Sequence, residues 1–358
     1  MIPSPVKYRT EKNDLYTILK KDVNEYLLNK ANNQYADTAM IIKIFLCITL
    51  FAITYVQYIN TSYSYLQWLG WCLLFGFCNM LLGVNIAHDA IHQALFKKKW
   101  LNKLAGFSFD LIGISSYTWK IKHNYIHHNY PNVINIDVDI EAGPLLRFSP
   151  GDKKRWFHRY QHLYAPLIYI LFSLHLVFIN DILILMKRRY FYPLRRSKFI
   201  RVCMGILVQK IFYLFYILIV PCYLLSFPWW QVICGFILMH FTLSFFLALV
   251  LLPSHLFEKT TFSDLAANGH IDEDWTIHQF RTTLDFASQS HLVHFLCGGF
   301  NTNVVHHLFP AICHCHYKKL SSIIAQRTGE LNITYHHLTL KGAIASHFKA
   351  LKILGTNV

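Results

Sequence analysis

The sequence is poor in charge and poorest in acidic residues. Of 358 residues only 15% are charged, with 19 Asp+Glu against 34 Lys+Arg, a formal +15 at pH 7. Beside a hydrophobic content of 54%, that is too apolar for one large or two ordinary soluble domains, and a membrane protein is the first reading. A disulfide framework is also missing. The nine cysteines are odd in number, and Cys47, Cys72, Cys78, Cys222 and Cys234 sit inside apolar runs, so reduced thiols are expected. With 28 Phe and 21 Tyr, a disordered or fibrous chain is excluded. No repeat, low-complexity tract or long linker is present, and the first 38 or so residues lack a continuous apolar h-region, so no cleavable signal peptide is expected.

Basic residues are themselves absent from two stretches, between Tyr55 and Phe96 and between Ile211 and Glu258. A bilayer core of about 30 Å needs roughly 20 apolar helical residues, and candidate runs lie near 41–59, 65–87, 164–186, 207–226 and 229–252. The turns Asn60–Tyr65 and Ser226–Trp230 carry no Lys or Arg and are expected away from the cytoplasm. Lys7, Arg9, Lys12, Lys20, Lys21, Lys97–Lys99, Lys187, Arg188, Arg189, Arg195, Arg196 and Arg201 flank the opposite ends, which positive-inside topology makes cytoplasmic. Charges that flank apolar runs mark topology rather than a nucleic-acid partner. Four spans in two hairpins satisfy the pattern. The run at 164–186 is left over; it carries His175, Asn180 and Asp181 and is expected to be interfacial or packed on the cytoplasmic body. The run at 104–114, with Asp110 inside it, is too short to cross. Lys43 lies near the start of the first span and is expected to snorkel to the interface.

What is abundant is histidine, 21 in all. Seven form three tight groups on the side marked cytoplasmic. His88 and His92 stand i, i+4 at the end of the second span, the spacing that lets two imidazoles hold one metal. His123 and His127 share a helical face, while His128, turned by about 100°, suits a second, adjacent metal. Far downstream, Asn303, His306 and His307 occupy i, i+3 and i+4. A lone buried histidine is more often a hydrogen-bonded core residue, but three such groups on one side argue for metal. Seven imidazoles exceed what one ion uses, so two metals are expected, with His255 as an eighth ligand and His278, His291 and His294 in reserve.

Imidazole suits several transition metals, and no His-Glu-x-x-His or Glu-x-x-His motif is present. An all-histidine di-iron centre that activates O2 is the simplest choice beside a hydrocarbon phase. Asp89, between two ligands, is read as a carboxylate that accepts a ring N–H and fixes a tautomer. Trp119, Tyr125 and Trp275 are read as interface anchors rather than site residues, and Cys313-His314-Cys315-His316 is not read as a separate zinc site.

Beyond about residue 35 the chain resembles the membrane fatty acid desaturases, in particular the acyl-lipid and linoleoyl-CoA-type branch. The resemblance is carried by His88-Asp89-Ala90-Ile91-His92, Trp119 through His128, Gly143-Pro144-Leu145-Leu146-Arg147, Asp274-Trp275 with His278-Gln279, and His306-His307-Leu308-Phe309-Pro310 followed by His314 and His316-Tyr317. It implies one all-α, multi-pass membrane desaturase domain: a cytoplasmic segment at 1–38, transmembrane and interfacial helices with two histidine boxes at 39–252, and a cytoplasmic region with the third box at 253–358. It implies two Fe ions, O2 as co-substrate, and insertion of a double bond into a fatty acyl chain carried by CoA, acyl carrier protein or lipid. The chain departs from the family at Asn303, where Gln or His is usual; the shorter amide is expected to ligate weakly, through water, or to orient His306 and His307. No G-x-G-x-x-G entry, ferredoxin-like cysteine run or His-Pro-Gly-Gly haem signature is present, so a separate ferredoxin or cytochrome is expected to supply two electrons. A membrane hydroxylase or acetylenase with the same centre, and a histidine-lined transporter or metal carrier, are the alternative readings.

Overall fold

The computed structural model describes residues 6–9, 15–31, 33–141, 143–191, 195–266 and 269–356, without the side chains of 187–191. Lys12 and the side chains of Lys187, Arg188 and Arg189, assigned above to the cytoplasmic side, lie outside the described residues. The chain is predominantly helical, with two short parallel strand pairs, Lys7–Tyr8 on His270–Ile271 and Asp285–Phe286 on His337–Leu338.

Among the described residues four helices are long and apolar enough to cross a membrane: Thr38–Tyr58, Tyr65–Ile91, Arg196–Leu224 and Trp229–Ser254. Local chemistry starts them where the apolar runs begin. Asp37 accepts from the Met40 N–H at 2.8 Å, and Gln67 accepts from the Ser64 N–H at 3.1 Å, satisfying donors that a helix start leaves free. The second and fourth spans are the inner pair, 67% and 50% of their apolar windows being buried, against 22% and 11% for the first and third. Small residues let the inner pair approach: a Cβ on Gly235 would stand 2.2 Å from the Trp68 ring, and one on Gly76 would stand 2.2 Å from the Met239 carbonyl oxygen.

The leftover run does not form a straight span. Trp156–Tyr169 and Phe172–Met186 are bent by 73° at the break between them, and the second piece packs on the fourth span, where the Ser173 hydroxyl meets the Ser244 hydroxyl and His240 Nδ1, each at 2.7 Å. Asp181 is neutralised there by Lys210 of the third span at 2.6 Å and accepts from the Thr118 hydroxyl. The run at 104–114 is broken into Lys99–Gly106 and the single turn Ser108–Leu111. Lys43 does not snorkel away: its ammonium lies 3.1 Å from His314 Nε2 and over the Phe295 ring. The C-terminal helices Tyr317–Glu330 and Leu340–Thr356 close the structure beside the histidine-bearing segments. Arg327 pairs with Asp22 of the N-terminal helix Leu15–Leu28 at 2.6 Å, and His347 bridges Tyr169 and the Leu256 carbonyl.

Candidate metal centre

The first box sits at the end of the second span, after a turn of π-helix at Gly83–Ala87 in which the His88 N–H bonds to the Gly83 carbonyl. The second lies in another π segment, Ile121–His127, closed by the His128 N–H on the His123 carbonyl at 3.0 Å. The third is the short helix Asn303–Leu308. Its first turn is held by Asp285, whose carboxylate accepts from the Val304 N–H at 2.8 Å, from Ser321 at 3.0 Å and from the Tyr335 hydroxyl. Just upstream, Gly298 adopts φ +56°, and a Cβ there would lie 2.2 Å from the Val84 carbonyl, so the approach to the third box is tucked under the π-turn of the first.

All eight imidazoles singled out from the sequence converge, seven of them in two groups. His88, His92, His123 and His306 offer nitrogens within 4.8 Å of one another, and so do His127, His255 and His307. The closest pairs are His88 Nε2 to His123 Nε2 at 2.9 Å, His123 Nε2 to His306 Nε2 at 3.3 Å, and His127 Nε2 to His255 Nε2 at 3.1 Å. His128 lies between the groups, its Nε2 3.2 Å from His123 Nε2 and its ring centroid 4.4 Å from those of both His306 and His307. The second box differs from expectation in His127. His127 joins the second group and His128 lies beside His123, because i→i+5 winding brings residues five apart onto neighbouring turns.

The rings are oriented from behind. His127 donates Nδ1–H to Asp137 at 3.1 Å, His307 to the Gln279 side-chain oxygen at 2.9 Å, and His255 to the Thr282 carbonyl at 3.2 Å, while His306 Nδ1 lies 3.4 Å from the Tyr317 hydroxyl. Asp137, Gln279 and Tyr317 were not assigned a role from the sequence; the Gln279 and Tyr317 positions stood inside quoted motifs, but nothing in their spacing indicated which ring they orient. With Nδ1 carrying the proton in His127 and His255, both Nε2 atoms turn lone pairs toward one another 3.1 Å apart, that of His255 also meeting the Asn303 amide nitrogen. Two nitrogens about 2.1 Å from one ion and at right angles would lie about 3.0 Å apart. The buried Nε2 atoms of His92 and His307 have no hydrogen-bond partner. A cation satisfies all of these atoms, and the donor set therefore fits a metal.

Electrostatics keep the ligand candidates available. Burial, then neighbouring imidazoles, hold His92, His123, His128, His306 and His307 well below the usual imidazole range, and push His255 down to about 3. In His127 burial acts the same way but is outweighed by Asp137 and Asp139, so its basicity rises.

Asp89 has a different principal partner from the one expected. It accepts from the His314 backbone N–H at 2.9 Å and from His314 Nδ1–H at 2.8 Å, while its other oxygen stands 3.6 Å from His88 Nδ1. Asn303 points at His255, its amide 2.7 Å from Nε2, rather than orienting His306 or His307. The reserve histidines are engaged elsewhere: His278 with Glu273 and the Pro131 carbonyl, His294 with Asn301 and the His314 carbonyl, His291 with Lys318. The Cys313–His316 string splits its groups among Asp89, Lys43, Tyr26 and Tyr35. Trp119 is buried, and lines an apolar cavity of about 10 Å³ that touches His88, Val84, Phe109, Ile112 and Leu247; it is not an interface anchor.

The family model for fatty acid desaturases matches residues 64–339, which contain every one of these histidines. The chain belongs to the fatty acid desaturase family. It is 34% identical over 343 residues to the sn-1 linoleoyl-lipid 6-desaturase of Arthrospira platensis, covering 95% of this chain and 92% of that protein. It is 29% identical to the sn-1 linoleoyl-lipid 6-desaturase of Synechocystis sp., covering 97% of each. It is likewise 29% identical to acyl-lipid (8-3)-desaturase B of Dictyostelium discoideum, covering 97% of this chain and 77% of that one. The desaturase is thus an oxidoreductase that inserts a double bond into a fatty acyl chain, and its histidine groups are consistent with a metal site.

Proposed function

We propose that this desaturase holds two irons, one among His88, His92, His123 and His306, the other among His127, His255 and His307, with His128 between them, and that it acts on the acyl chain of a membrane lipid. The observation that carries the metal reading is the buried Nε2 of His307, which has no hydrogen-bond partner while its Nδ1 proton goes to Gln279, and which lies within 4.8 Å of the His127 and His255 nitrogens. The all-imidazole donor set suits iron, and the lipid reading rests on relatives named for lipid-linked acyl chains.

The irons would supply activation of O2 with two external electrons, the oxidising power that removing hydrogen from unactivated methylenes requires. The chain's own residues do the rest. Asp137, Gln279 and Thr282 fix the ring tautomers that expose Nε2. Asn303, with its amide turned so that the oxygen faces inward, is placed to orient a water beside His255. Phe109, Ile112, Trp119 and Leu247 exclude water on the side of His88. The four spans form two hairpins, with the boxes and the 253–358 region on the cytoplasmic side, where a separate ferredoxin or cytochrome docks; the Lys and Arg distribution supports this sidedness.

Metal analysis and Mössbauer spectra of the purified protein, with lipid product analysis after expression in a host of known composition, test this. About two irons per chain, reduced in His127→Ala, and a new double bond are expected. Stoichiometric zinc without iron, or a hydroxylated product with no new unsaturation, overturns it.

A further inference from the structure

The cavity beside His88 has a volume of about 10 Å³, whereas sites for small organic ligands occupy roughly 300–1,000 Å³. An acyl chain does not fit that cavity as it stands, so a chain reaching His88 through it requires part of the wall to move. The inner lining includes Phe109, Ile112, Ile114 and Trp119. The same stretch of chain has a second face. Phe107, Asp110, Leu111 and Ser115 line a separate groove of about 640 Å³, closed on its far side by the third span from Val202 to Phe212. One thin segment, Phe107–Trp119, therefore separates a large outer groove from the closed cavity at the histidines.

On its outer side that segment is held by side chains of a single span. Its carbonyls at Asp110, Leu111 and Gly113 accept hydrogen bonds from Gln209, Tyr216 and Lys210, all side chains of the third span, the first at 3.0 Å and the last at 2.6 Å. It holds the single turn Ser108–Leu111 and the start of the short helix Ser116–Lys120, and between them it bends at Gly113 with φ +86°. The third span itself is the least buried of the four, and Val208, Ile211 and Phe212 are exposed on it. Arg196, Lys198 and Arg201 occupy the turns just before Val202, so the groove begins where a lipid's phosphate meets basic side chains and continues where its chain would lie.

We propose that the outer groove binds the acyl chain of an anionic bilayer lipid, and that the Phe107–Trp119 wall, released from Gln209, Lys210 and Tyr216, swings to pass that chain sideways to the histidine centre. The inference rests on the fatty acyl substrate assigned above. It adds a lateral binding site and a gate.

The test uses the full chain in vesicles of branched-chain diphytanoyl phosphatidylglycerol carrying a trace of phosphatidylglycerol with a long-chain diazirine acyl group. Photolabelling is expected within 104–117 and 202–212, displaced by unlabelled straight-chain phosphatidylglycerol. Label that appears there but is not displaced marks annular lipid only and overturns the proposal, as does displaceable label confined to other segments. A Cβ on Gly205 meets nothing within 4 Å, so Gly205→Trp fills the groove without a backbone clash. It is expected to lower kcat/KM for vesicle-borne lipid at least about tenfold with iron content unchanged. Val56→Trp, on the exposed face of the first span, keeps the wild-type value. Gly205→Trp at the wild-type rate overturns the gate. Iron-loaded wild type that forms no double bond strikes instead at the desaturase reading, and the labelling still decides the groove.

Discussion

At the scale of single residues, the centre depends on groups that never enter it. Lys43, His314 and Asp89 come from the first span, the segment after the third box, and the second span, and they meet in one buried chain of contacts at 3.1 Å and 2.8 Å that ends 3.6 Å from His88. His314→Leu breaks it on both sides, whereas Asn at 314 retains a donor near the Nδ1 position. The leucine variant is expected to lose about 10–100-fold in activity, with KM unchanged and an altered Mössbauer quadrupole splitting, and His314→Asn to recover most of both; equal losses with unchanged spectra would make His314 merely structural. Gln279→Leu leaves His307 Nδ1 without its acceptor and is expected to weaken iron binding about 10–100-fold in chelator competition. The ligand candidates were legible in the sequence because they stand within five residues of one another in each box. Their supports were not. Gln279 lies 28 residues from His307, and Asp89 lies 225 from His314, so only folding pairs them.

At the scale of elements, two π segments and one carboxylate set the geometry. Straight α-helical periodicity assigned His128 to the far metal and His127 to the near one, whereas the i→i+5 winding of Ile121–His127 puts His127 in the second group and His128 between the two. The third box depends on Asp285, a fully buried carboxyl that burial pushes up to about 6, against 3.8 when exposed, despite its bonds to Tyr335, Val304 and Ser321. The sign follows from linkage: because the folded pKa is the higher one, the unfolded chain releases this proton first, and stability falls as pH rises from near 4 to near 6 and then levels. The size is about 3 kcal/mol at most. Asp285→Asn removes that contribution, so the difference in melting temperature between wild type and variant is expected to change across pH 4–6 and to stay constant from 6.5 to 8. A difference that is flat throughout would count against a raised Asp285.

At the scale of the whole molecule, the inner spans form a scaffold whose close contact leaves no room for added side-chain volume. Gly235→Val drives into Trp68, whose indole N–H is held by the Tyr58 carbonyl at 2.7 Å, and is expected to cost about 1–3 kcal/mol, read as a lower melting temperature in detergent. The proposed metals would tie that scaffold to the rest of the chain, since their candidate ligands come from the second span, the second box, the end of the fourth span and the third box. Chelation of iron is therefore expected to lower the melting temperature and to speed proteolysis around 255–310, with recovery on re-addition of Fe(II).

By itself the sequence determined the apolar spans, the three histidine boxes and the family, because hydrophobic runs and i, i+4 pairs are local patterns that survive any arrangement of the rest. Only the tertiary structure decided how seven of the eight imidazoles divide into two groups, which residues stand behind His127, His255, His306 and His307, that Lys43 turns inward to His314, and that Trp119 and its neighbours form a wall beside the site. Those outcomes depend on how a helix winds locally and on contacts between residues tens to hundreds of positions apart, and neither leaves a periodic trace in the chain.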